Sequence, residues 1–168
     1  TFLSQLELKV IIKEVDEFSL PRTSQLILKT NQFNLTTKRY QESDIHEMVN
    51  DPNFIVGCAQ VEDKFGDNGI TGVFILKKEN KFEWKIDSFL MSCRIMGRDI
   101  EKCIIAYIIN KAQENGIKTV KADFYPTQKN KPIENFLSDC KFVKDRNSWS
   151  YTIKSKIKFP EYITMRIE

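Results

Sequence analysis

The sequence predicts an α/β domain with a mainly antiparallel sheet and one late crossover, and three observations carry that reading. Apolar and polar residues alternate in several short runs, the period of half-buried strands. A glycine-rich turn joins two of these runs as a hairpin. One long amphipathic helix then links a strand-like run to another, as a crossover requires.

Leu6, Leu8, Val10 and Ile12 alternate with Glu7, Lys9 and Lys13, so the chain opens on a strand. Ser19-Leu20-Pro21 offers a helix start, and Leu26, Ile27, Thr30 and Phe33 suit a short helix over 23–32. Residues 35–40 read as a brief extended piece. Ser43 is the expected N-cap of a helix carrying Ile45, Met48 and Val49, stopped by Asp51-Pro52. Runs 54–62 and 70–78 flank Phe65-Gly66-Asp67-Asn68-Gly69, a hairpin signal. Val73-Phe74-Ile75-Leu76 is continuously apolar, which predicts a central strand covered on both faces. Phe82, Trp84, Ile86, Ser88 and Leu90 alternate with Glu83, Lys85, Asp87, Phe89 and Met91. Ile100, Cys103, Ile104, Tyr107, Ile108, Lys111 and Ala112 follow the helical period up to Asn115-Gly116. A strand is expected over 120–125. Pro126 and Pro132 bracket a loop and a helix start, with Ile133, Phe136, Leu137 and Cys140 on one face of the helix that follows. Residues 142–143 and 149–154 read as a closing hairpin. About four helices flank the sheet in this scheme.

At 168 residues the chain is one domain, 1–168, with room for a real core. It begins at Thr1 rather than at a methionine and is expected to be a fragment of a longer protein. With 26 basic and 23 acidic residues, the net charge of +3 is too even to mark a nucleic-acid surface, and no basic stripe is clustered. No apolar run reaches membrane-spanning length, so no membrane partner is expected and a cytoplasmic location is. Cys58, Cys93, Cys103 and Cys140 are scattered, as reduced thiols rather than a disulfide or metal framework. His46 is the only histidine, which excludes any mechanism needing two.

The candidate site centres on the stretch from Ser92 to Glu101, a short Arg-x-x-Gly turn into the long helix. Amides of Met96, Gly97, Arg98, Asp99 and Ile100 can gather at a helix N-terminus and hold a phosphate, with Arg94 or Arg98 adding charge. The same residues also make a plain strand-to-helix corner with two solvated arginines, the reading the bare motif favours. Asp99 suits the helix dipole but repels a nearby phosphate. Asn130, between Lys129 and Lys131, either contacts a ligand or caps a helix. Asn31, Asn34 and Thr36 lie in a segment dense in amide and hydroxyl groups, which can line a substrate pocket or satisfy local backbone. Asp87 and Glu83 are candidate general bases if desolvated, and solvated strand residues otherwise.

The element order and the Arg94-x-x-Gly97 placement resemble the GNAT acyltransferases. In that family the corresponding turn holds the diphosphate of coenzyme A, and the pantetheine arm lies in a gap between the fourth and fifth strands. The resemblance implies that Phe89, Leu90 and Met91 pair with the arm's amides. Asp99 departs from the family's Gly/Ala at the end of the turn. Asn130 and Phe142 match the downstream helix, but Leu137 stands where a catalytic tyrosine is common and Lys141 where glycine is usual.

A longer resemblance covers nearly the whole chain. Arg22-x-Ser24-Gln25-Leu26-x-x-Lys29-Thr30-Asn31-Gln32-Phe33-Asn34-Leu35-Thr36-Thr37-x-Arg39-Tyr40, Phe65 to Gly69, and Trp84-x-Ile86-Asp87-Ser88-Phe89-Leu90-Met91-Ser92-Cys93-Arg94 are similar to FkbH-like proteins. These join a haloacid-dehalogenase-like (HAD-like) domain to a C-terminal GNAT-like domain. Members handle a glyceryl-type three-carbon unit for an acyl carrier protein. The resemblance implies a C-terminal domain with an upstream HAD-like partner in the same chain. Its ligand is then coenzyme A, acetyl-CoA or carrier-bound phosphopantetheine, with no metal. Two readings remain: an acyltransferase with Asp87 or Glu83 as base, or a non-catalytic module that presents a carrier thiol to its neighbour.

Overall fold

The apolar run at 73–76 lies in strand β4 (Gly66–Asn80), and all four of its side chains are buried. Successive strand residues point to opposite faces, so each neighbour falls into a different core. Phe74 and Leu76 join one cluster, Val73 and Ile75 the other. The computed structural model describes residues 2–168.

Around β4 the sheet is built from β1 (Leu8–Glu14), β3 (Phe54–Asp63), β5 (Glu83–Met91), β6 (Thr119–Ala122), β7 (Val143–Asp145), β8 (Ser148–Thr152) and β9 (Ile163–Ile167). Their order is β7-β8-β6-β5-β4-β3-β1-β9, and a two-residue strand β2 (Phe33–Asn34) also pairs with β5. Among the described residues, only the β5–β6 and β1–β9 pairs are parallel. The β5–β6 link is the predicted crossover, made by helix α4 (Ile100–Glu114).

Helix α4 and the single-turn helix α5 (Phe136–Asp139) cover the face holding Phe74, Trp84, Ile86, Phe89 and Met91. Helices α2 (Leu20–Lys29) and α3 (Glu42–Val49) cover the other face through Leu26, Ile27 and Ile45, against Val56, Val73, Ile75 and Leu90. A short α1 (Phe2–Gln5) precedes β1, giving five helices among the described residues rather than about four.

The departures from the sequence reading are local. Helix α2 ends at Lys29, before the expected 32, because Thr30 turns extended and closes the last turn through its amide. The extended piece is Phe33–Asn34 rather than 35–40. The N-cap of α3 is Gln41, which forms a reciprocal capping box with Asp44, not Ser43. Strand β6 stops at Ala122, not 125. Strand β9 was not anticipated, although Ile163, Met165 and Ile167 alternate with Thr164, Arg166 and Glu168.

One irregularity positions the site. Ser88 faces Ile75 and Ile86 faces Leu76, which leaves Asp87 with no partner on β4. This is a β-bulge, which bends a strand and re-aims the side chain at the extra position. The β5–β6 ladder also stops there, at Ile86 opposite Ala122.

Candidate functional site

Asp87, on the bulge, is 9% exposed, and its carboxylate is fully engaged. The Lys38 ammonium lies 2.8 Å from one oxygen. The Tyr40 hydroxyl donates to the other at 2.7 Å, and the Ser88 hydroxyl at 3.1 Å. Burial pushes the Tyr40 phenol up from its ordinary value, and its hydrogen bond to Asp87 adds to that, so it stays protonated. A separate pair lies on β5 and just past β6: Lys85 and Asp123, 2.7 Å apart. The bond to Asp123 raises the Lys85 pKa. An ammonium, a phenol and a hydroxyl thus surround one buried carboxylate where the strands part. Such a set can hold and move a proton, the chemistry expected of a general base at Asp87.

Glu83 does not join them. It sits at the far end of β5, four residues from Asp87, and pairs with Lys121 across 3.5 Å. Lys38 and Tyr40 were missed in the sequence. No spacing pointed to them, because left-handed Thr37 breaks any strand-like alternation in that segment.

The residues expected to bind substrate are occupied locally. Asn34 is fully buried; its Nδ2 donates to the Thr30 carbonyl at 3.1 Å and its Oδ1 accepts from the Thr37 amide at 2.9 Å. The Thr36 hydroxyl donates to the Asp87 carbonyl at 3.1 Å. Asn31 accepts from the Arg39 guanidinium. These polar groups satisfy neighbouring backbone and side chains, the second of the two roles open to them.

Phe89, Leu90 and Met91 are expected to offer backbone to a ligand. Instead, Phe33 and Asn34 pair with Met91 and Leu90, and the Leu35 amide donates to the Phe89 carbonyl at 3.1 Å. The Leu35 carbonyl in turn accepts from the Tyr125 amide at 2.9 Å, so one segment spans the gap beyond Ala122. Asn130, fully buried, locks this arrangement by donating to the Asn34 carbonyl at 3.0 Å and the Tyr125 carbonyl at 2.9 Å. Asn130 therefore braces the gap.

The turn before α4 combines a single 3-10 turn, Cys93–Ile95, with left-handed Gly97 (φ 81°) and Asp99 (φ 62°). Arg94 is exposed. Arg98 is turned away to Asp63, 3.3 Å distant. Asp99 accepts a hydrogen bond from the Tyr162 hydroxyl. Met96 is half-buried, and Ile100 is buried in the core. Glu101, not singled out in the sequence, is folded back on the turn. Burial raises its pKa, opposed by hydrogen bonding from its own amide and that of Gly97. One of its oxygens is buried without a partner. The helix start therefore faces the chain's own carboxylates. With the β5 edge also taken, the residues as folded do not fit a pantetheine diphosphate.

A cleft of about 710 Å³ lies beyond the end of β6, among Phe124, Tyr125, Trp149, Glu134 and Lys144. Among the described residues, no group of histidine, cysteine and carboxylate side chains is placed to hold a metal, and no helix is long and apolar enough to cross a membrane.

No family model matches the sequence. No curated protein matches it either. Solved structures do match in shape. One described as a GNAT-family acetyltransferase from Desulfovibrio desulfuricans superposes with a TM-score of 0.68 at 10% identity, over 85% of this chain and 98% of that one. The GNAT domain of S. lividans PAT gives 0.65 at 14% identity, over 84% and 89%. Rv2747 from Mycobacterium tuberculosis, solved with CoA and NLQ, gives 0.60 at 14% identity, over 80% and 72%. At such identities the likeness is one of architecture, and with the strand order and the bulged, parting fifth strand it gives the conclusion: this chain has the GNAT acyltransferase fold.

Proposed function

We propose that the chain is an acyltransferase-like domain that receives the pantetheine arm of acyl-CoA, or of an acyl carrier protein, along the edge of β5 beyond the bulge. One observation carries this reading. Strand β6 leaves β5 after Ile86, so the edge of Phe89, Leu90 and Met91 faces a gap that no full strand closes. An extended arm with two amides pairs with such an edge as a peptide strand does. The CoA complex of Rv2747, on the same fold, supports that ligand class. Asp87 is the candidate base, held by Lys38 and Tyr40. Arg94, exposed on the turn before α4, would meet the phosphate end.

A second reading is favoured by Glu101 and Asp99 at the start of α4. Two carboxylates there disfavour a diphosphate more than a single phosphodiester. A module that grips a carrier's phosphopantetheine, and presents its thiol to an upstream HAD-like domain for loading a three-carbon unit, needs only the latter.

Calorimetry separates them. Heat on titrating acetyl-CoA, together with thiol release when amine acceptors are added, is expected for the acyltransferase. Binding of a holo carrier protein without binding of acetyl-CoA selects the module. Silence with both ligands at millimolar concentration removes the pantetheine reading.

A further inference from the structure

We infer that residues 33–37 are an internal stand-in for the ligand's arm, a plug that closes the β5 edge and also caps Asp87, and that must withdraw before a ligand enters. The inference rests on the pantetheine reading above and adds a regulation to it.

Occupant and ligand compete for the same backbone. The Phe89 carbonyl accepts from Leu35, and the bridge pairs set Asn34 opposite Leu90 and Phe33 opposite Met91. Those are the groups an amide-bearing arm would use. The plug is only a two-residue strand, far below the usual five or six, so its ladder adds little. Its hold comes from brackets and anchors. Asn130 clamps the Asn34 carbonyl, and Arg39 reaches the Thr30 carbonyl at 2.9 Å and also the Ile27 carbonyl. Phe33 packs edge-on against Phe89 and Phe136, with ring centroids 5.3 and 5.0 Å apart.

The exit of the plug is strained. Thr37 has φ 54°, a region that a β-branched residue rarely enters, and its hydroxyl is buried without a partner. Such outliers persist only where surrounding structure enforces them, and they concentrate at switch segments. Withdrawal relieves both defects.

The same segment controls the carboxylate. Apart from adjacent Ser88, the side chains bonded to Asp87 are Thr36, Lys38 and Tyr40, all on the plug or its continuation. One movement thus frees the edge and uncovers the base. A ligand that binds only the open form shows an affinity reduced by the fraction of molecules open.

The test uses the full chain, hydrogen exchange at Leu35, and calorimetry with coenzyme A. Leu35→Ala weakens the plug. Thr37→Asn strengthens it, because asparagine tolerates a left-handed backbone. The Leu35 amide is expected to exchange at least about tenfold faster than the amides of Ile75 and Trp84, through local opening. Coenzyme A is expected to bind at least about tenfold more tightly to Leu35→Ala, and about threefold more weakly to Thr37→Asn. If Leu35→Ala does not fold, the loss in Thr37→Asn and the exchange rate of Leu35 carry the test. Coenzyme A bound equally by all variants overturns the plug and leaves the pantetheine reading standing. Leu35 exchanging only with the whole core overturns the plug without reference to any ligand. Fast Leu35 exchange with neither coenzyme A nor a holo carrier protein bound by any variant overturns the pantetheine reading, and the plug's role with it.

Discussion

The two halves of β5 are built on different principles. From Glu83 to Ile86 the strand runs between β4 and β6, in unbroken register with β6 and, from Trp84 to Ile86, with β4, and its carboxylate, Glu83, makes a half-exposed ion pair with Lys121. From Asp87 to Met91 the register slips by one residue, β6 departs, and a two-residue strand takes its place. There the carboxylate is buried and must be matched by Lys38, Tyr40 and Ser88. The first half is ordinary sheet. The second exchanges regular pairing for a gap, and a gap beside a buried charge is where a fold places chemistry.

Removing an aromatic from the second half is expected to break the contrast most severely. Phe89→Ala takes away the ring packed between Phe33 and Phe136 and should lower stability by about 4 kcal/mol, read from urea unfolding. Asp87→Ala should follow at about 3 kcal/mol, because Lys38 and Tyr40 lose a buried acceptor. Asp87→Asn should recover part of that loss, since its amide oxygen still accepts.

Glu101→Gln sharpens the comparison at the neighbouring turn, and its sign is opposite. Burial raises the Glu101 pKa above the ordinary value of 4.5, so ionising this group opposes folding. The wild type therefore loses stability as pH rises from the ordinary glutamate range through the raised folded value, and regains it on acidification. Glu101→Gln should be more stable by about 1 kcal/mol at pH 7, with the gain vanishing toward pH 4, in denaturation curves at both pH values. The smallest effect belongs to the first half of β5. Glu83→Ala should cost about 0.5 kcal/mol or less, since its pair with Lys121 is solvated, and the loss should shrink in 1 M salt.

Much of the fold was legible because each long element repeats one period. The doubly buried 73–76 and the helix after Gly97 lie where the spacing put them, whereas the β3–β4 hairpin turns earlier than expected, at Lys64 and Phe65, with Gly66 to Gly69 already part of β4. The short elements were the ones displaced. Phe33–Asn34 carries too few residues to show a period, and its strand character comes from a partner far along the chain, at Leu90 and Met91. The site was legible in part. Asp87 was named from its strand, but its matching cations and hydroxyls come from a segment that sequence spacing could only describe as extended.

The sequence by itself determined the layered α/β architecture, the central place of β4, and the strand–turn–helix at 91–100, because alternation, helical period and glycine placement act locally. Tertiary structure alone decided that Asp87 falls on a bulge, that residues 33–35 fill the gap it opens, and that Glu101 turns back on its own helix. Those outcomes depend on register between distant strands and on which side chain reaches a shared space first. No local pattern of residues encodes either quantity.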